Sequence, residues 1–162
     1  MRTVAIVMIV LVLAAVAVVG YGLFNTTLQV IAKDLQVFSA TERPAEFEQI
    51  RTNVERDALI GTRLKSGTLK SAEEYQYRVY TLRVKNNGLV AARMTEMQIA
   101  PMLQDVLYYG ESGEVVIEPG QTRDIWCVLL TEGSTHNVRD IHITYYLWGN
   151  PHEVKFTYDD TI

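Results

Sequence analysis

The chain of 162 residues is 48% apolar and 21% charged, the balance of an ordinary globular protein, and its length suits one domain with an anchor. Setting Arg2 aside leaves 14 basic against 19 acidic residues, interspersed, which excludes nucleic acid and an anionic lipid surface as partners because both need clustered Lys and Arg. Cys127 is the single cysteine, so an intramolecular disulfide and a cysteine-based zinc site are excluded as well.

From Val4 to Phe24 there are 21 residues without a charge, rich in Val, Ala, Leu and Ile. About 20 apolar residues at about 1.5 Å each span a bilayer core of about 30 Å. The run shows no polar face, unlike a buried core helix. A cleaved signal peptide is the rival, with Arg2 as its positive start and Ala15-Val16-Ala17 or Val18-Val19-Gly20 as a small-residue cleavage site. The apolar run continues past both through Tyr21, Leu23 and Phe24, which favours an uncleaved anchor over residues 1–25. Arg2 before the helix, against Lys33 and Asp34 after it, favours an N-in, C-out orientation and an extracytoplasmic domain at the cell membrane. Tyr21 and Phe24 then fall at the outer interface.

Residues 26–59 are expected to form a membrane-proximal helical segment. Leu28, Ile31, Ala32, Leu35 and Phe38 recur at helical spacing, although Leu35, Val37 and Ser39 also alternate. A helix is favoured for 26–34, and 35–40 is left open. Thr41-Glu42-Arg43-Pro44 reads as a helix start, since Pro is tolerated in the first turn and acidic residues suit that end. Phe47, Ile50 and Val54 mark one face of a helix over about 44–57.

From Ile60 the period becomes two, which opens a β domain over 60–162. Tyr80, Leu82 and Val84 alternate up to the turn signal Asn86-Asn87-Gly88, and a second strand reaches Ile99. Short strands follow at 105–109, 114–117 and 122–130. Residues 139–148 then place Ile141, Ile143, Tyr145 and Leu147 on one face. Gly149-Asn150-Pro151 turns the chain into a last strand with Val154, Phe156 and Tyr158. Six or seven short strands between regular turns predict a mainly β fold: an immunoglobulin-like antiparallel β-sandwich preceded by a transmembrane helix and a short helical segment.

Val84-Lys85-Asn86-Asn87-Gly88 ending one strand and Glu118-Pro119-Gly120-Gln121-Thr122 opening a later one resemble the N-x-G and P-G-[EQ] signatures of bacterial extracellular Ig-like modules of the CARDB and FxLYD types. The segment Tyr75–Tyr158 also resembles small membrane-anchored proteins of Firmicutes. The resemblance covers about half of the chain and rests on turn chemistry. It implies an Ig-like fold and a surface adhesion, assembly or scaffold role, and it carries no functional residues.

No catalytic constellation emerges. There is no G-x-S-x-G elbow, S-x-x-K or phosphate loop. Cys127 reads as a buried small hydrophobe. His136, His142 and His152 fall short of a zinc site; at most His142 and His152 face each other across neighbouring strands. Asp105, Glu111, Asp159 and Asp160 lack calcium-loop spacing. No cofactor or metal is expected.

The one distinctive feature is an aromatic strand face: His142, Thr144, Tyr146 and Trp148, opposite the aliphatic side of 139–148. Such a face suits protein contact. The alternative is that the apolar stripe of the helical segment packs over it and buries it, and that stripe needs a partner. The sequence thus predicts a non-enzymatic, membrane-anchored module contacting another envelope protein, with an exposed patch or open edge at the last hairpin. A ligand-sensing or accessory subunit is the second expectation, with a pocket between helical segment and sandwich.

Overall fold

A computed structural model describes residues 2–25, 28–111, 113–133 and 138–159. Helix α1 (Arg2–Asn25) is apolar all round, and it packs against no other part of the protein from Arg2 to Tyr21. Its 24 residues rise about 36 Å. It is long and apolar enough to cross a membrane, as an anchor or as a signal sequence.

Of the helix expected over 26–34, residues 28–34 form a strand instead, and 26–27 lie outside the described residues. Residues Leu28–Ser39 are strand β1, antiparallel to β3 (Tyr75–Asn86) from Leu28↔Asn86 to Ser39↔Gln76, with an irregularity between Val30 and Ala32. The periodicity misled because β1 is an edge strand with an irregular burial pattern, so alternation was not imprinted on it. Residues 28–59 are therefore not the separate helical segment expected, since β1 is part of the sandwich itself.

The expected second helix does form. Ser39 caps a single 3₁₀ turn over Ala40–Glu42, with its own N–H donating to Glu42 Oε1 at 3.0 Å. Pro44 then opens α2 (Pro44–Glu55), where its missing N–H costs nothing. Phe47, Ile50 and Val54 are buried, each contributing about 1.5–3 kcal/mol.

The remaining strands are β2 (Thr62–Arg63), β4 (Arg93–Ile99), β5 (Asp105–Gly110), β6 (Thr122–Glu132), β7 (Arg139–Leu147) and β8 (Asn150–Tyr158). They form two antiparallel sheets, β1-β3-β6-β5-β2 and β4-β7-β8, with the main core between them. Tyr80, Leu82 and Val84 of β3 and Ile125, Cys127 and Leu129 of β6 meet Ile141, Ile143 and Tyr145 of β7 there. The mainly β sandwich expected from the alternation is the observed fold.

Two turns differ from expectation. Asn86-Asn87-Gly88 does not close a hairpin, because β3 and β4 lie in different sheets. Asn86 is fully buried instead, donating from Nδ2 to the Val90 and Ile117 carbonyls and accepting from Gly88 N–H at Oδ1, so its side chain holds the crossover. Residues 114–117 form no full strand; Ile117 bridges Ala92, and Val115 accepts from Thr95 N–H.

The sheets are bolted together at the start of β7. Arg139 donates from both Nη atoms to Asp105 of β5, at 2.7 and 2.8 Å, with both side chains fully buried.

Candidate interaction surface

In β7 the inward residues Ile141, Ile143, Tyr145 and Leu147 are buried, so His142, Thr144 and Tyr146 point outward. β7 is the central strand of its sheet. Glu96 of β4 and Glu153 of β8 flank Thr144, while Gln98 and Lys155 flank His142. His142 Nδ1 lies 2.5 Å from Glu153 Oε1, and Lys155 Nζ 3.0 Å from Glu153 Oε2. The hydrogen bond from His142, then that from Lys155, hold the Glu153 carboxyl below its ordinary range. Tyr146 adds an aromatic ring at 38% exposure.

Three of the four expected face residues thus share one surface. Trp148 does not. It lies beyond β7 in the two-residue turn Trp148-Gly149, closed by Leu147↔Asn150, with φ +48° and +81°. Asn150 and Pro151 already belong to β8, so the turn falls one residue earlier than expected. Trp148 is 56% exposed.

The two described histidines also part. His142 faces outward opposite Lys155, whereas His152 pairs with the inward Tyr145 and stacks on its ring at 5.6 Å. They sit on opposite faces of the sheet. His136 lies outside the described residues. Asp105 is engaged by Arg139, and Glu111 by Arg123 at 2.5 Å. Asp160 is outside the described residues.

The expected cover over this face is absent. α2 packs on the outer side of the larger sheet, against Tyr75, Tyr77, Leu107 and Leu130. Parity decides this: Tyr75, Tyr77 and Val79 form the second face of β3, so that sheet is apolar on both sides and the helix covers its outer one. Tyr109 of β5 fastens the helix by donating its hydroxyl to Glu46 Oε1 at 2.8 Å. A hollow of about 220 Å³ remains between α2 and β5, bordered by Ile50, Leu59, Ile60 and Tyr109.

A larger cleft of about 890 Å³ opens where the chain leaves β5 and crosses toward β4. Its walls include Glu96, Met97, Tyr108, Trp126, Tyr146 and Glu153. Glu96 makes no ion pair among the described residues. Thr95 Oγ1, also in the lining, is buried with no hydrogen-bond partner among the described residues. Burial, and then the Glu96 carboxylate, push the nearby Cys127 thiol up to about 12, which removes it as a nucleophile at neutral pH. The sequence did not single out Glu96 or Trp126, because they stand on β4 and β6, strands of different sheets that border one cleft only in the folded protein.

No family model matches the chain, and no curated protein matches it. Among solved structures it is similar to a FixG-related protein from Vibrio parahaemolyticus, at 13% identity over 80% of this chain and 97% of that one, with a TM-score of 0.36. It is also similar to the GAE domain of yeast GGA1, at 11% identity over 56% of this chain and 94% of that one (TM-score 0.33). The GAE domain of GGA2p from Saccharomyces cerevisiae matches at 10% identity over 61% and 96%, with a TM-score of 0.34.

Proposed function

We propose that this protein is a non-enzymatic, single-pass membrane-anchored module, N-in and C-out, whose extracytoplasmic sandwich contacts another protein of a bacterial envelope. The observation that carries the reading is the uncovered outer face of the smaller sheet. α2 covers part of the larger sheet, while His142, Thr144 and Tyr146 stay at the surface beside the open edge of β8. An open edge offers unpaired backbone groups to a partner strand. Pro151, Glu153 and Lys155 on that edge discourage indiscriminate pairing and select a partner of matching charge. The turn motifs at 86–88 and 118–122 support a relationship to CARDB- and FxLYD-type modules and a Firmicutes-type source.

A photo-reactive residue at Tyr146, irradiated in native membranes and followed by mass spectrometry, tests the reading. One recurrent envelope protein is expected, absent when the probe stands at Asp57, which is exposed beyond the end of α2. Equal labelling from both positions, or none from Tyr146, removes the proposal.

The second reading, a ligand-sensing or accessory subunit, draws on the 890 Å³ cleft, which is lined by strands of both sheets and not, as expected, by the helical segment, where the 220 Å³ hollow lies. Carboxylates beside Tyr108, Trp126 and Tyr146 suit a small cationic ligand. A change of Trp126 emission on titration with organic amines, lost in Glu96→Gln, is its expected signature.

A further inference from the structure

The end of the sandwich next to α1 carries two outward apolar side chains, and we infer that Trp148 and Leu89 seat this end in the interface of the same bilayer that holds α1. The inference rests on α1 remaining in the membrane, as proposed above.

Chain connectivity places this end. Residue 25 closes α1 and residue 28 opens β1, so the three intervening steps span at most about 11 Å. A headgroup layer is about 5–8 Å thick. Leu28 is no loose linker: it is buried in the main core, pairs with Asn86, and its N–H donates to the Tyr145 phenol. The end of the sandwich marked by Leu28, Asn86 and Tyr145 is therefore held at the membrane surface.

Both apolar tips project from that level. β7 continues from Tyr145 to the turn at Trp148, three residues further, or about 10 Å. The chain after Asn86 folds over the buried Asn86 amide, which grips Gly88 and Val90 and leaves Leu89 at the tip, 60% exposed. Asn87 donates to Gln29, tying this loop to the first residues of β1 at 2.7 Å.

The Trp148 backbone gives a second, independent reason. A bulky residue with positive φ is an outlier where Asn or Gly fits without strain. Folding alone selects against an exposed tryptophan there, and an interface selects for one, since Trp is enriched at the headgroup level. Charge defines the class of surface. Glu118 is the exposed charge of the neighbouring 118–121 turn, the half-buried Lys85 beside Asn86 is of opposite sign, and no basic cluster accompanies them among the described residues, so contact is with neutral lipid and is insensitive to salt.

The two tryptophans allow a direct test in the full-length protein reconstituted into phosphatidylcholine vesicles brominated high on the acyl chain. Trp126→Phe leaves Trp148 as the reporter. Trp148→Asn leaves Trp126, which pairs with Thr81, five residues or about 16 Å up the strand from Asn86. Trp148 is expected to lose emission to bromine and shift to the blue at low and high salt alike, while Trp126 is unchanged. Unquenched Trp148 in protein that survives an alkaline carbonate wash overturns the inference and leaves the anchor intact. Release by carbonate overturns the anchor reading and this inference with it. Equal quenching of both tryptophans means a domain lying on its side and also overturns it. Shielding of Trp148 from aqueous acrylamide in native membranes but not in these vesicles assigns the tip to a protein, against the inference. A circular dichroism melt confirms that each variant is folded.

Discussion

The outer face of the five-stranded sheet carries α2, with Phe47 fully buried against Tyr75 and Tyr109 pinned to Glu46. Among the described residues the outer face of the three-stranded sheet carries no helix, and its central strand shows His142, Thr144 and Tyr146. Both sheets are apolar toward each other; they differ in the second face. β3 and β6 are apolar on both sides and must be covered, whereas β7 alternates aliphatic with polar and needs no cover. The bare face is thus bare by composition, and the side chains on it are free for work other than folding.

The largest expected effects lie on the covered side and at its joint to the bare one. Asp105→Ala strands a buried guanidinium and is expected to cost about 3–5 kcal/mol in a denaturant melt. Phe47→Ala empties the α2–sheet core and is expected to cost about 3–5 kcal/mol. If either loss stays under about 1 kcal/mol, the covered face is not the structural one. Tyr109→Phe removes the bond to Glu46 and is expected to cost about 1–2 kcal/mol, read as a lowered melting temperature. Trp148→Asn is expected to raise stability by about 1 kcal/mol by relieving the positive φ, the opposite sign from the covered-face variants. Tyr146→Ala is expected to stay within about 0.5 kcal/mol of the parent while crosslinking from a photo-reactive residue at Thr144, on the same face, falls away.

The smallest effect is one of pH. Glu153 is held below its ordinary carboxylate range by His142 and Lys155, so its contribution is complete above that ordinary range and is lost as pH falls through the lowered value. Glu153→Gln is therefore expected to lower the melting temperature slightly at neutral pH and not well below about pH 4. A shift of equal size at both pH values means that the contact on the bare face is not ionic.

Much of this comparison was legible in the sequence. The Ile141, Ile143, Tyr145, Leu147 alternation fixed which side of β7 is core, because burial of one face imprints a period of two. Phe47, Ile50 and Val54 marked the buried face of α2 for the corresponding reason. The sheet beneath α2 was not legible, since an apolar stripe declares the need for a partner without naming it. Nor was the cleft, whose Glu96 and Trp126 come from strands of different sheets.

Composition alone determined the apolar helix of residues 2–25, because a uniformly apolar run of that length needs no tertiary context to be recognised. Local pattern marked most of the strands from 75 onward, most plainly β7, which buries one face regularly, although residues 114–117 form only a bridge. Only the tertiary structure decided β1 and Trp148. Leu28–Ser39 becomes a strand by pairing with residues some forty to sixty positions away, and its exposed edge leaves only the short alternation of Leu35, Val37 and Ser39 as a local trace of that pairing. Trp148 enters the turn because the β7–β8 register closes at Leu147↔Asn150, leaving two residues to make the bend whatever their own preference.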